Sequence, residues 1–177
     1  MKNDPEFAAK VNAYLALEDV PPYHGETEVL HFLELLRDKI GFDAVAAKVT
    51  NPLKNRKIAA YYGCLLLRPS KVMRMDDPEN PQIVEDLVKA LGGEAVYFPA
   101  RNTCCGGYVT LEDPESAKKK SNAVSASAKN HGADAIVTAC PLCRYNLEKN
   151  GSELPVIYFT ELVAEAFGLK EDGNGNK

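Results

Sequence analysis

The stretch KIAAYYGC (residues 57–64) decides the fold. Five apolar residues follow one another without a polar break, bounded by charge on one side and by Gly63-Cys64 on the other. A half-buried strand alternates apolar and polar residues. A strand covered on both faces does not. The run therefore predicts a central strand of a parallel sheet. Three more runs share its character: EAVYF (94–98), AIVTA (135–139) and PVIYF (155–159). Between them the period changes to that of helices. QIVEDLVKAL (82–91) ends at Gly92-Gly93, Asp113-Pro114 opens a long helix to about Asn130, Pro141 opens another, and TELVAEAFG (160–168) closes the series. Strand and helix thus alternate from 57 to 168, with 67–81 a loop. This is an α/β domain with a Rossmann-like parallel sheet of about four strands.

Upstream the pattern is helical. Asp4-Pro5 caps a first helix, and Val29, Leu30, Leu33, Leu36 and Ile40 mark a second over about 26–39. A short third helix is expected over 42–49. We expect a helical linker or partner-docking segment over 1–52, the α/β domain over 53–169, and a disordered tail over 170–177.

Composition removes several function classes. The 177 residues carry a net charge of −4 and no basic stripe interleaved with aromatics, which argues against nucleic acid. No run approaches the roughly 20 apolar residues of a membrane span. MKNDPEFAAK has no apolar signal core. The expected location is the cytoplasm, where thiols stay reduced and clustered cysteines bind metal or do redox chemistry.

The five cysteines fall where that chemistry needs them. Cys64 follows the first predicted strand, Cys104 and Cys105 the second, and Cys140 the third, with Cys143 one helical turn on. All five lie beyond the carboxyl ends of parallel strands, the rim where open α/β sheets bind ligands. As small hydrophobes, cysteines would scatter through the core. At Ala-Cys140-Pro-Leu-Cys143, Cys140 is the N-cap and Pro141 the first helical residue, so free N–H groups and the helix dipole favour thiolate. In NTCCGGYVT (102–110), adjacent thiols can reach different metals of one multinuclear group, and Gly63, Gly106 and Gly107 leave room for it. Zinc stays open as the alternative, although its tetrahedron needs only four ligands. Apolar residues on the same rim, Leu65, Leu66, Tyr108 and Leu142, are expected to stand exposed and to mark a partner surface.

Cys64…Cys104-Cys105-Gly106…Cys140-Pro-Leu-Cys143 resembles the cysteine-rich CCG domain of the B-subunit family of heterodisulfide reductases. AYYGCLLLRPSKV (60–72), DDPENPQIVEDLVKALGGE (76–94) and DAIVTACPLCRYNLE (134–148) look like its second repeat. DPEFAAKVN (4–12) and EVLHFLELL (28–36) look like the segment between repeats. The resemblance implies a noncubane [4Fe-4S] cluster held by Cys64, Cys104, Cys105, Cys140 and Cys143. It also implies a part in the two-electron reduction of a small-molecule disulfide, as an oxidoreductase within a complex. The implied partners are a separately encoded first CCG repeat and the iron–sulfur and flavin subunits that deliver electrons. The same domain occurs in other oxidoreductase complexes, so an electron-transfer or zinc-binding structural role is the alternative reading. The family has two repeats where this sequence has one, so either the gene is split and a partner supplies the first repeat, or the sequence is a fragment. Lesser candidates are His31, as proton donor to a leaving thiolate or as a packed helix residue, and Arg68, Arg101 and Arg144, as anion-binding or ordinary surface arginines.

Overall fold

Four strands run parallel: β1 (Lys57–Tyr61), β2 (Glu94–Val96), β3 (Ala135–Thr138) and β4 (Val156–Tyr158). Their spatial order is β2-β1-β3-β4. The computed structural model describes residues 3–169. The expected tail over 170–177 lies outside them. The chain divides into two units, an N-terminal one ending at Phe32 and a larger one beginning at Leu33.

The predicted parallel α/β sheet is present, and its two-sided burial explains the unbroken apolar run. Ile58, Ala59, Ala60, Tyr61 and Tyr62 are all fully buried. Successive side chains leave opposite faces of a strand. Accordingly Ile58, Ala60 and Tyr62 enter one core, with Val84, Leu87 and Val88 of α5 (Ile83–Ala90) and Leu162 of α8 (Phe159–Ala166). Ala59 and Tyr61 enter the other, with Val124 and Ala128 of α6 (Pro114–Asn130) and Leu147 of α7 (Pro141–Lys149). The first core also takes Leu33, Leu36 and Val45 from the segment ahead of the sheet. Asp113 caps α6 by accepting the N–H of Ser116 at 3.0 Å.

The chain leaves β1 for β2 on one side and returns with β3 on the other. The switch point of the sheet thus lies between the carboxyl ends of β1 and β3, which Cys64 and Cys140 follow directly.

In the N-terminal unit, α1 (Pro5–Leu17) starts at Asp4, whose carboxylate accepts the N–H of Phe7 at 2.9 Å. The amide of Asn12 then clamps Tyr23, donating to its carbonyl at 3.0 Å and accepting its N–H at 2.7 Å.

Several boundaries differ from expectation. The second helix does not begin at 26. α2 (Phe32–Glu34) continues as a wider π-helical run, Leu35–Ile40. Ahead of it the Glu26 carboxylate takes the N–H of His24 and the Tyr23 hydroxyl takes that of Thr27, so local polar groups hold a turn there. α3 (Phe42–Ala46) stops short of 49. The loop over 67–81 contains one helical turn, α4 (Ser70–Met73). The segment after β2 is not plain loop: two 3₁₀ turns, Pro99–Asn102 and Gly107–Leu111, flank the adjacent cysteines. β4 yields Phe159 to α8.

Candidate metal centre

All five cysteines line one cavity of about 200 Å³ at this rim, together with Leu65, Gly106, Gly107, Tyr108, Val109 and Leu142. All five are free thiols. They are not equivalent. Cys105 and Cys143 are buried, Cys64 and Cys140 half-buried, and Cys104 exposed. Among the described residues, no group of three or more His, Cys, Asp or Glu forms a ready-made single-ion site.

The inner sulfurs form a unit. Cys105 Sγ and Cys143 Sγ lie 3.6 Å apart, within hydrogen-bond reach for sulfur. The thiol of Cys143, then the N–H of Gly107 and the amide of Asn146, holds Cys105 down at about 6. Cys143 likewise leads in holding Cys140 at about 6, followed by the N–H groups of Cys143 and Leu142 at the start of α7. The Cys143 thiol itself is pushed up by these same two neighbours and by burial. One proton thus stays on Cys143, and negative charge collects on Cys105 and Cys140. Thiolate at those two positions is the form a soft metal takes as ligand, and binding would release the proton of Cys143. Toward the mouth, burial and then Cys104 push Cys64 up.

The backbone is tailored to this packing. Gly63 has φ +65°, and a Cβ there would meet Cys143 Sγ at 2.8 Å. Gly106 has φ +96°, and its Cβ would meet the Cα of Ala117 in α6 at 2.7 Å. The bare face of Gly106 therefore serves the helix, whereas a Cβ on Gly107 would make only an ordinary 3.7 Å contact with Leu142. Ser121 of α6 donates to the carbonyl of Cys105 at 2.8 Å. Tyr61, its hydroxyl kept protonated first by burial and then by the cysteines, donates to the carbonyl of Thr103 at 2.7 Å.

The match to known proteins follows this ring of thiols. Residues 58–148 fit the model of the cysteine-rich domain family designated CCG. The chain belongs to that family. Three relatives of this cysteine-rich domain extend the likeness. The 8-methylmenaquinol:fumarate reductase membrane anchor subunit of Wolinella succinogenes is 33% identical over 170 residues, spanning 90% of this chain and 59% of its own. The B subunit of the Ferredoxin/F(420)H(2)-dependent CoB-CoM heterodisulfide reductase of Methanosarcina acetivorans is 33% identical over 188 residues, 99% of this chain and 62% of its own. A protein of Archaeoglobus profundus that is like the heterodisulfide reductase B subunit is 30% identical, at 96% and 61%. This chain therefore spans about six-tenths of the length of these relatives.

The other candidate residues of the cysteine-rich domain stand apart from the thiols. The buried Arg101 guanidinium pairs with the buried Glu85, reaches Asn80 Oδ1 at 2.5 Å, and lies 4.4 Å from the Tyr97 ring centre. Its carbonyl accepts the N–H groups of Tyr62 and Gly63 at 2.8 and 3.3 Å. Arg68 pairs with Glu79 at 2.8 Å, and Arg144 with Glu148 at 3.0 Å and Glu161 at 2.5 Å. Among the described residues, none of the three arginines lines the cysteine cavity. His31 belongs to the N-terminal unit and precedes α2, so it is not a residue within that helix. Of the expected apolar rim, Leu65 and Tyr108 are exposed and Leu142 is half-buried. Leu66 instead turns into the first core, and Leu111 and Tyr145 extend the exposed surface.

Sequence reasoning missed Asn146, fully buried beside Cys105. A signal existed: Cys140, Cys143 and Asn146 recur every three residues, which places them along one side of α7. It also missed the tie from Tyr62 and Arg101 to Glu85, because the partners lie on three separate elements.

Proposed function

We propose that this chain is an iron–sulfur subunit of an oxidoreductase complex, with Cys64, Cys104, Cys105, Cys140 and Cys143 holding a noncubane [4Fe-4S] cluster. The observation that carries this reading is the single cavity ringed by all five thiols. The donor set fits: five soft sulfurs, two of them shifted toward thiolate, favour iron–sulfur or zinc over hard cations. A fifth thiol beyond the tetrahedral four, and an adjacent pair divided between buried and exposed positions, favour the multinuclear group. When bound, such a cluster supplies the electron-transfer chemistry.

The chain's own residues do the rest. α7 presents Cys140 at its amino end and Cys143 one turn on. Gly106 lets the adjacent cysteines lie against α6. Leu65, Tyr108, Val109 and Leu142 give the cavity an apolar wall that limits water. The reaction we assign is reduction of a small-molecule disulfide to two thiols, with two electrons from iron–sulfur and flavin partner subunits and two protons from solvent. The heterodisulfide reductase relatives support this assignment. The exposed rim with Leu65 and Tyr108 is where we place a second cysteine-rich repeat.

Iron and acid-labile sulfide analysis of protein purified without oxygen tests the cluster. We expect a brown protein with about four of each per chain. A colourless protein with stoichiometric zinc would replace this reading with the structural one. The fumarate reductase relative favours a second reading, electron transfer within another complex. Disulfide reduction by the reconstituted complex separates the two.

A further inference from the structure

Cys105 is held from several directions. The N–H of Gly107 donates to its sulfur at 3.4 Å, as that of Gly106 does to Cys104 Sγ. Asn146 adds a side-chain donor. Its Nδ2 lies 3.6 Å from Cys105 Sγ and donates also to the carbonyl of Gly107 at 3.3 Å. Its Oδ1 accepts the Thr110 hydroxyl at 3.2 Å, which fixes the way the amide faces. The side chain is fully buried, so water does not compete for these groups.

We propose that Asn146 is a positioning residue that tunes the reduction potential of the metal group through its N–H···S bond to Cys105. The inference rests on the iron–sulfur reading. An N–H donor draws charge off a ligating sulfur, so the group accepts an electron more readily and its potential rises. The backbone donors of Gly106 and Gly107 do the same, but a side-chain donor can be removed by substitution. Asn146 also fastens Cys105 to α7, the helix that carries Cys140 and Cys143. One residue thereby sets both the place and the charge of the buried member of the adjacent pair.

The test compares wild type with Asn146→Leu, Asn146→Asp and Thr110→Val, all purified without oxygen. Iron and sulfide are assayed first, and the midpoint potential is then titrated by electron paramagnetic resonance. Leu is of similar size and has no donor. Asp has the same shape but adds negative charge. Thr110→Val leaves the amide in place without its anchor. We expect midpoints in the order wild type, Thr110→Val, Asn146→Leu, Asn146→Asp, from highest to lowest, at wild-type iron content. Equal potentials in iron-replete variants overturn the proposal. So does loss of iron in both Asn146 variants with Thr110→Val at the wild-type potential, which makes the residue purely structural. Absence of iron from the wild type removes the iron–sulfur reading itself, and this inference with it.

Discussion

The cavity has an inner and an outer half, and they are built differently. Cys105, Cys140 and Cys143 form the inner half, linked by sulfur contacts, helix α7 and Asn146. Cys64 and Cys104 form the outer half, neighbours on loop segments, with Cys104 exposed. The adjacent cysteines contribute one sulfur to each half. Two neighbouring residues therefore bridge the halves where a single cysteine could join only one. The difference also shows how each half is made rigid. The inner half is locked by hydrogen bonds to sulfur and by a helix. The Cys64 segment is locked indirectly, through the Arg101 carbonyl that takes the N–H groups of Tyr62 and Gly63.

The largest effect that could break this contrast is loss of metal. Cys143→Ser and Cys105→Ser should lose nearly all iron, because each lies buried where no other ligand can enter. Cys104→Ser, open to solvent, should keep a measurable fraction that added thiol restores. Equal, irreversible loss at all five positions would erase the distinction. Next comes the anchor of the Cys64 segment. Arg101→Met leaves the Glu85 carboxylate buried without its cation and should cost about 3–5 kcal/mol in urea unfolding of the metal-free protein. A cost near zero would mean that the ion pair does not hold that segment.

Two adjacent glycines give a smaller, sharper comparison. Gly106→Ala combines a left-handed backbone with a main-chain clash, and should destabilise by about 2 kcal/mol. Gly107→Ala meets only Leu142 at ordinary distance and should stay within about 0.5 kcal/mol. Similar costs for both would show that the loop is free of α6. The smallest effect is in thiol reactivity of the reduced, metal-free protein. With Cys140 at about 6, its thiolate is present at pH 7 and lost as the pH falls through 6. Alkylation of Cys140 should slow about tenfold between pH 7 and pH 5. At pH 7, Cys64, whose thiol is pushed up, should react more slowly than Cys140. A flat profile for Cys140 would break the inner unit.

Much of this was legible from residues alone, and the reason is physical. Both-sided burial writes itself as an unbroken apolar run, so β1 to β4 could be placed within a residue or two. Proline at the first helical position and aspartate at the cap marked α1 and α6, and proline alone α7. Strand ends then put every cysteine on one rim. What stayed hidden depended on partners distant in sequence. Glu85 reads as an ordinary helix-surface acid until Arg101 and Tyr62 are brought to it. Asn146 reads as helix polarity until Cys105 arrives beside it. The late start of α2 was hidden because the apolar spacing of 28–36 fits a helix, while the Tyr23 and Glu26 side chains hold the backbone just upstream in a turn.

The 3.6 Å between Cys105 and Cys143 also sets up a race. A disulfide needs about 2.05 Å between its sulfurs, so joining them takes a local shift. Each newly made chain therefore faces two competing fates at the same two atoms. On the iron–sulfur reading, metal that arrives first would occupy the sulfurs and the site would mature. If an oxidant such as peroxide arrives first, it takes the two thiol protons and two electrons to give water, and the inner half is sealed until a reductant reopens it. On that reading the order of delivery, and not the strength of binding alone, would set the fraction of molecules that become competent.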